Sequence, residues 1–202
     1  MTQIPNDMYE PQARHQYGSD TSILMITTDG VEDLEFFYPY YRFIEEGYKV
    51  DVVTPDGGEF EGKMGMRLKE TKKLHEVTPE KYDLLYIPGG KAPAQLKKDK
   101  SAIELTQRFA ATGKPIASIC HGPQLLAEAD VIEGYTIAAW PEVQEELEKA
   151  GAKFVNQETC VDRQFITARW PGDLPAHLAK TLEILKQSKA QISGTMTPRF
   201  AA

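Results

Sequence analysis

An α/β fold, with a mostly parallel sheet covered by helices on both faces, is predicted by three observations. Short apolar, β-branched runs alternate with amphipathic segments of about ten to fifteen residues. Gly and Pro punctuate the ends of the runs. One apolar run, PIASIC, passes straight into a helical pattern, HGPQLLAEA, with Cys120 at the junction.

SILMITT (22–28) reads as the first strand, and DGVEDLEFFYPYYRFIEEG as a helix stopped by Gly47. Pro39 conflicts with that helix, since it removes a hydrogen bond unless it lies in the first turn. YKVDVVTP is a second strand with a Pro stop. GGEFEGKMGMRLKE is hairpin-like, with glycines at its start and middle. DLLYIP, ended by Gly89 and Gly90, is the central strand, and SAIELTQRFAATG is a helix closed by Gly113. Beyond the Cys120 junction come a strand near YTIAAW, a helix in PEVQEELEKAG, short strands in FVNQETCVD and RQFITAR, and a last helix in DLPAHLAKTLEILK. In such sheets ligands bind beyond the carboxyl ends of the strands. Glu32, Glu35, Gly89, Gly90 and Cys120 all fall there.

The 202 residues suit one domain. The expected divisions are a flexible N-terminal extension over 1–20, a folded domain over 21–187, and a tail over 188–202. A net charge of −7 supplies no basic face for a phosphate backbone, so no nucleic-acid partner is expected. The polar N-terminus has no apolar h-region, and no run reaches the ~18 apolar residues of a membrane span. No membrane partner is expected, and a cytoplasmic setting is. Two dissimilar cysteine contexts, Cys120 and Cys160, suggest free thiols in a reducing compartment rather than a disulfide framework. His15 and His75 lack metal-ligand spacing with another His or Cys, so neither a metal nor a cofactor is expected.

The chemistry concentrates in A-S-I-C-H-G-P. A strand-to-helix turn pushes the Cys120 side chain out of the sheet, and a helix N-terminus lowers a thiol pKa. The upstream P-G-G-K-A-P loop lets backbone amides face the site, so those of Gly90 and His121 are candidates for an oxyanion hole. In G-V-E-D-L-E, Asp33 suits a dipole complement in the first helical turn. Glu35, turned inward against the thiol, would have a raised pKa and share a proton with the sulfur. Glu32 is a second acidic lining residue. Arg169 follows a strand end and either lines the pocket or pairs with an acid. Cys160 is expected in the core, and Lys63 on a solvated hairpin.

These elements, over about Ile23 to Lys186, resemble the ThiJ/PfpI family of the class I glutamine amidotransferase-like superfamily, closest to its PfpI intracellular protease-like branch. The resemblance implies a flavodoxin-like three-layer sandwich with Cys120 at a nucleophile elbow. It also implies His121 as base, Gly90 and the His121 amide as oxyanion hole, Glu35 as the glutamate contacting the thiol, and self-association as a dimer or hexamer. Two positions depart from the pattern. Ala94 stands where protease-like members carry the glutamate that orients the His, and Trp140 replaces a pocket tyrosine. The superfamily's amidotransferases use a late H-x-E element, whereas His177 has no such partner and is expected at the surface or behind the site.

The expected function is a cofactor-free, cysteine-dependent enzyme of stress protection, acting on small reactive carbonyl compounds as a glyoxalase or deglycase-like hydrolase or lyase. The alternatives are a PfpI-type cysteine peptidase, which lacks an acid for His121, and a redox-sensing or chaperone-like protein using Cys120.

Overall fold

The computed structural model describes residues 20–192. The N-terminal extension expected over 1–20, and His15 with it, lies outside the described residues except for Asp20. In chain order the elements are β1 (Ser22–Ile26), α1 (Asp33–Glu45), β2 (Lys49–Thr54), β3 (Gly58–Glu61), β4 (Arg67–Lys73) and β5 (Leu84–Ile87). There follow α2 (Ala92–Leu96), α3 (Lys100–Ala111), β6 (Ile116–Ile119), α4 (Pro123–Glu128) and β7 (Thr136–Ala138). The chain continues through α5 (Gln144–Lys149), β8 (Lys153–Val155), β9 (Cys160–Asp162), β10 (Phe165–Ala168) and α6 (Leu174–Ile192).

The main sheet has the order β3-β4-β2-β1-β5-β6-β10-β9. Its six inner strands are parallel, and the antiparallel strands β3 and β9 finish the two edges. From β1 the chain winds outward to β2 and then returns to β5 on the other side. The crevice between β1 and β5 is therefore the switch point at which α/β sheets hold ligands.

Alternation along the strands creates the three layers. Ile23 and Met25 of β1 join Phe36 and Phe43 of α1 and Leu178 of α6 on one face. Leu24 and Ile26 point the other way, into a core shared with Leu105 and Phe109 of α3, Leu125 of α4 and Leu147 of α5. Every residue of β5, β6 and β10 is buried, as the near-continuous apolar runs of a covered parallel sheet require.

Local chemistry sets the ends of the helices. Asp99 caps α3 by accepting hydrogen bonds from the amides of Ser101 and Ala102, at 2.8 and 3.1 Å. Gly47, at φ +80°, ends α1 by donating to Ile44 while Tyr48 donates to Phe43. Pro39 lies in the interior of α1 rather than its first turn.

Two features differ from the sequence reading. The strand from YTIAAW pairs with β8 in a separate two-stranded sheet, held beside β10 by the Ala138 amide donating to Thr167 Oγ1 at 2.9 Å. Within the described residues α6 runs on to Ile192, past the Ser188 at which the sequence reading ends the last helix. Ser188, Lys189 and Ala190 are compatible with a helix, and the first breaker is Gly194. Residues 193–202 lie outside the described residues.

Candidate active site

Three strand ends converge on Cys120. The residue follows β6 with φ +62°, a left-handed conformation that costs a non-glycine residue about 1–2 kcal/mol. Main-chain bonds on both sides hold it there. Its amide donates to Ala168 at 3.0 Å, and its carbonyl accepts from the Trp140 amide at 2.9 Å. The chain then enters α4 at Pro123, with the Gly122 amide donating to Ile119.

Around the sulfur lie the expected partners. His121 Nδ1 is 3.2 Å from Cys120 Sγ. The amides of Gly90 and His121 hydrogen-bond the sulfur, and Glu35 contacts it through its carboxyl. Glu35 Oε2 also accepts from the Gly89 amide at 2.9 Å. An oxyanion formed by addition at Sγ would find the same two amides within its reach.

The electrostatics reverse one expectation. The thiol is pushed up, not down, first by burial and then by Glu35 beside it. α4 has six residues and a correspondingly weak dipole, so burial wins. Glu35 is fully buried, and burial pushes its carboxyl up to about 8. Burial disfavours the charged form of both groups, so at pH 7 the pair keeps both protons, and once one is lost the like charge opposes loss of the other. Burial lowers His121, which leaves it a neutral imidazole at pH 7.

The floor of the site depends on glycine. A Cβ at Gly89 would stand 2.5 Å from Glu35 Oε2 and 2.6 Å from Cys120 Cβ. Gly89→Ala is therefore expected to displace the carboxyl, slowing alkylation of Cys120 at least about tenfold and costing about 1–3 kcal/mol of stability. Alkylation kinetics and urea titration check both numbers. Gly90, at φ +76°, forms a bridge with Val31 that brings the loop after β5 against the loop after β1.

The remaining candidates divide. Glu32 precedes α1 and pairs with Lys63 Nζ at 3.3 Å. Trp140 lays its ring near His121, with centroids 6.2 Å apart and planes at 27°. Arg169 takes the pairing alternative: its guanidinium bonds both oxygens of Asp173, at 2.8 and 3.0 Å, and Asn156 Oδ1 at 2.9 Å. Cys160 is buried against the Thr136 carbonyl, as a core residue.

Asp33, expected only to complement a dipole, accepts hydrogen bonds from the amides of Met64 and Met66 at 2.7 and 3.0 Å. It thereby fastens the β3–β4 hairpin over the site and brings Lys63 to the mouth of its own chain's site. Of the two places expected for His177, the structure excludes the surface. His177 is completely buried, and its ring neighbours Tyr86 at a centroid distance of 5.9 Å. Tyr86 escaped the sequence reading because it sits in the apolar run LLYI; a polar-tipped aromatic in such a run was the one available signal.

Comparison with known proteins agrees with this geometry. The DJ-1/PfpI family model matches residues 21–184. Deglycase PfpI of Pyrococcus furiosus is 35% identical over 164 residues, covering 81% of this chain and 99% of the relative. Protein/nucleic acid deglycase 2 of Escherichia coli is 39% identical over 166 residues, covering 81% and 96%. A two-domain protein of Anabaena variabilis, with DJ-1/ThiJ/PfpI-like and ferritin-like domains, superposes with a TM-score of 0.80 at 28% identity, over 82% of this chain and 50% of that one.

Proposed function

The chain belongs to the DJ-1/PfpI family, and from that premise we propose that it is a cysteine-dependent enzyme acting on small reactive carbonyl compounds, as a glyoxalase or deglycase. The observation that carries this reading is the buried Glu35 carboxyl against Cys120 Sγ, with two amides aimed at the same sulfur. Relatives named deglycases support it.

In this reading the Cys120–Glu35 pair loses one proton, and the sulfur adds to an aldehyde carbon. A carbon–sulfur bond forms, and the carbonyl π pair moves to oxygen. The amides of Gly90 and His121 stabilise that oxyanion, and Glu35 returns the proton to it as a hemithioacetal. Neutral His121, 3.2 Å from the sulfur, is placed to carry the proton from the former aldehyde carbon to the neighbouring ketone carbon, which leaves a lactoyl thioester on Cys120. Attack of water on that thioester breaks the carbon–sulfur bond and releases lactate and the thiol.

The test is methylglyoxal consumption by the purified chain without added thiol, with lactate measured as the product of taking up one water. Consumption that rises with enzyme concentration supports the reading. No consumption from pH 6 to pH 9 rejects it. The peptidase alternative needs an acid on His121, and among the described residues no carboxylate hydrogen-bonds that ring. A second copy would have to supply one.

A further inference from the structure

Four buried polar atoms have no hydrogen-bond partner among the described residues and belong to the face of the sheet under α1 and α6: Glu35 Oε1, Tyr86 Oη, and both ring nitrogens of His177. Tyr86 and His177 are each wholly inaccessible and lie ring to ring. Tyr86 also feels the charge of Glu35. Buried polar groups rarely stay unpaired, because the desolvation they suffer is then not recovered. A polar space of this kind suits internal water, which typically makes about three hydrogen bonds.

We propose that Tyr86 and His177 are positioning residues that form a buried hydrogen-bonded chain behind Glu35, bridged by internal water, which sets how one proton is divided between Glu35 and Cys120. The inference rests on Cys120 being the reactive thiol. Neutral His177 donates its N–H toward Tyr86 Oη, and the Tyr86 hydroxyl donates toward Glu35 Oε1. The other carboxyl oxygen, Oε2, accepts from the Gly89 amide, and the carboxyl contacts the sulfur. A hydroxyl aimed at Oε1 leaves Oε2 as the oxygen that shares its proton with Cys120.

The charged and titratable groups around this chain come from several elements. Glu35 is faced by Cys120 from the elbow, Glu32 from the loop before α1, Lys63 from the hairpin and Tyr86 from β5. His177 is faced by Asp173, four residues earlier in the turn just before α6. Once the Cys120–Glu35 pair has lost its first proton it carries one negative charge, and a donor at Oε1 favours that state wherever the charge resides. Removing the donor therefore raises the pH at which the pair first ionises.

The experiment is the rate of Cys120 alkylation by iodoacetamide across pH, read by peptide mass in the full chain. Tyr86→Phe is expected to move the midpoint up by about half to one pH unit. His177→Leu should move it the same way, and the double variant no further than Tyr86→Phe alone. His177→Gln, which keeps an N–H donor, should restore most of the shift. A folded Tyr86→Phe variant whose midpoint stays unmoved, or moves down, overturns the proposal.

Should Tyr86→Phe not fold, the imidazole nitrogen shifts of His177 in the unaltered chain decide instead. They should follow the Cys120 midpoint, and flat shifts across that range overturn the chain. Because the readout is alkylation, a chain inactive on methylglyoxal still tests it.

Discussion

Cys120→Ser is expected to reduce methylglyoxal consumption at least about a thousandfold, which is the scale of losing a nucleophile while the surrounding binding groups remain. Serine fits the same turn. The main-chain bonds to Ala168 and Trp140 do not involve the side chain, and the amides of Gly90 and His121 stay in place. A hydroxyl, however, holds its proton far more tightly than a thiol, and neither Glu35 nor neutral His121 is basic enough to ionise it. Stability should change by no more than about 1 kcal/mol, since the buried volume hardly alters. Measured together, turnover and urea midpoint separate chemistry from folding. A variant that keeps a tenth of the rate would show that the sulfur is not the attacking atom.

The second large effect is on the pH dependence of stability, and it comes from two buried groups of opposite sense. Burial raises Glu35 to about 8 in the folded chain, against 4.5 as its ordinary value. Between those pH values the folded state keeps a proton that the unfolded state releases, so stability falls as pH rises. The slope is about 1.4 kcal/mol per pH unit, or roughly 3 kcal/mol by pH 7. His177 is lowered by burial from 6.5 to about 4. Between those values the unfolded state binds a proton that the folded state refuses, so stability falls as pH drops.

From pH 4.5 to 6.5 the two slopes oppose each other, and the unaltered chain should show little dependence from this source. Glu35→Gln removes one slope and exposes the other, so its urea midpoint should fall steadily from pH 6.5 toward pH 4.5. His177→Leu should instead lose stability as pH rises from 4.5. The Glu35→Gln variant should also turn over more slowly at pH 7, because no acid returns the proton. Parallel pH curves for Glu35→Gln and the unaltered chain would remove the premise that Glu35 is held neutral.

Much of this was readable from local pattern. Alternating strands and helices imply the parallel sheet, and a cysteine at a strand-to-helix junction followed by His-Gly-Pro implies the elbow. Glu35 could be picked from its place after the first strand, three residues past Glu32, together with the family resemblance. Other features depended on packing that no local pattern records. His177 and Thr181 interrupt the apolar stripe of α6 with polar side chains, as an exposed face would, yet both are buried. Thr181 satisfies itself by donating to the His177 carbonyl at 2.8 Å. Arg169 depended on where Asp173 would fall, and the thiol's direction on how deep the elbow sits. A short helix supplies less field than its position suggests, whereas burial has no signature in seven residues of sequence.

Pro39 has one more effect, on the turn of α1 that carries the acid. Proline has no amide hydrogen, so the Glu35 carbonyl, four residues earlier, lacks its partner in the ladder of α1. The helix is thus missing a rung at the residue whose carboxyl lies against the sulfur. The turn of α1 that carries the acid is therefore held by one main-chain bond fewer than the turns beside it.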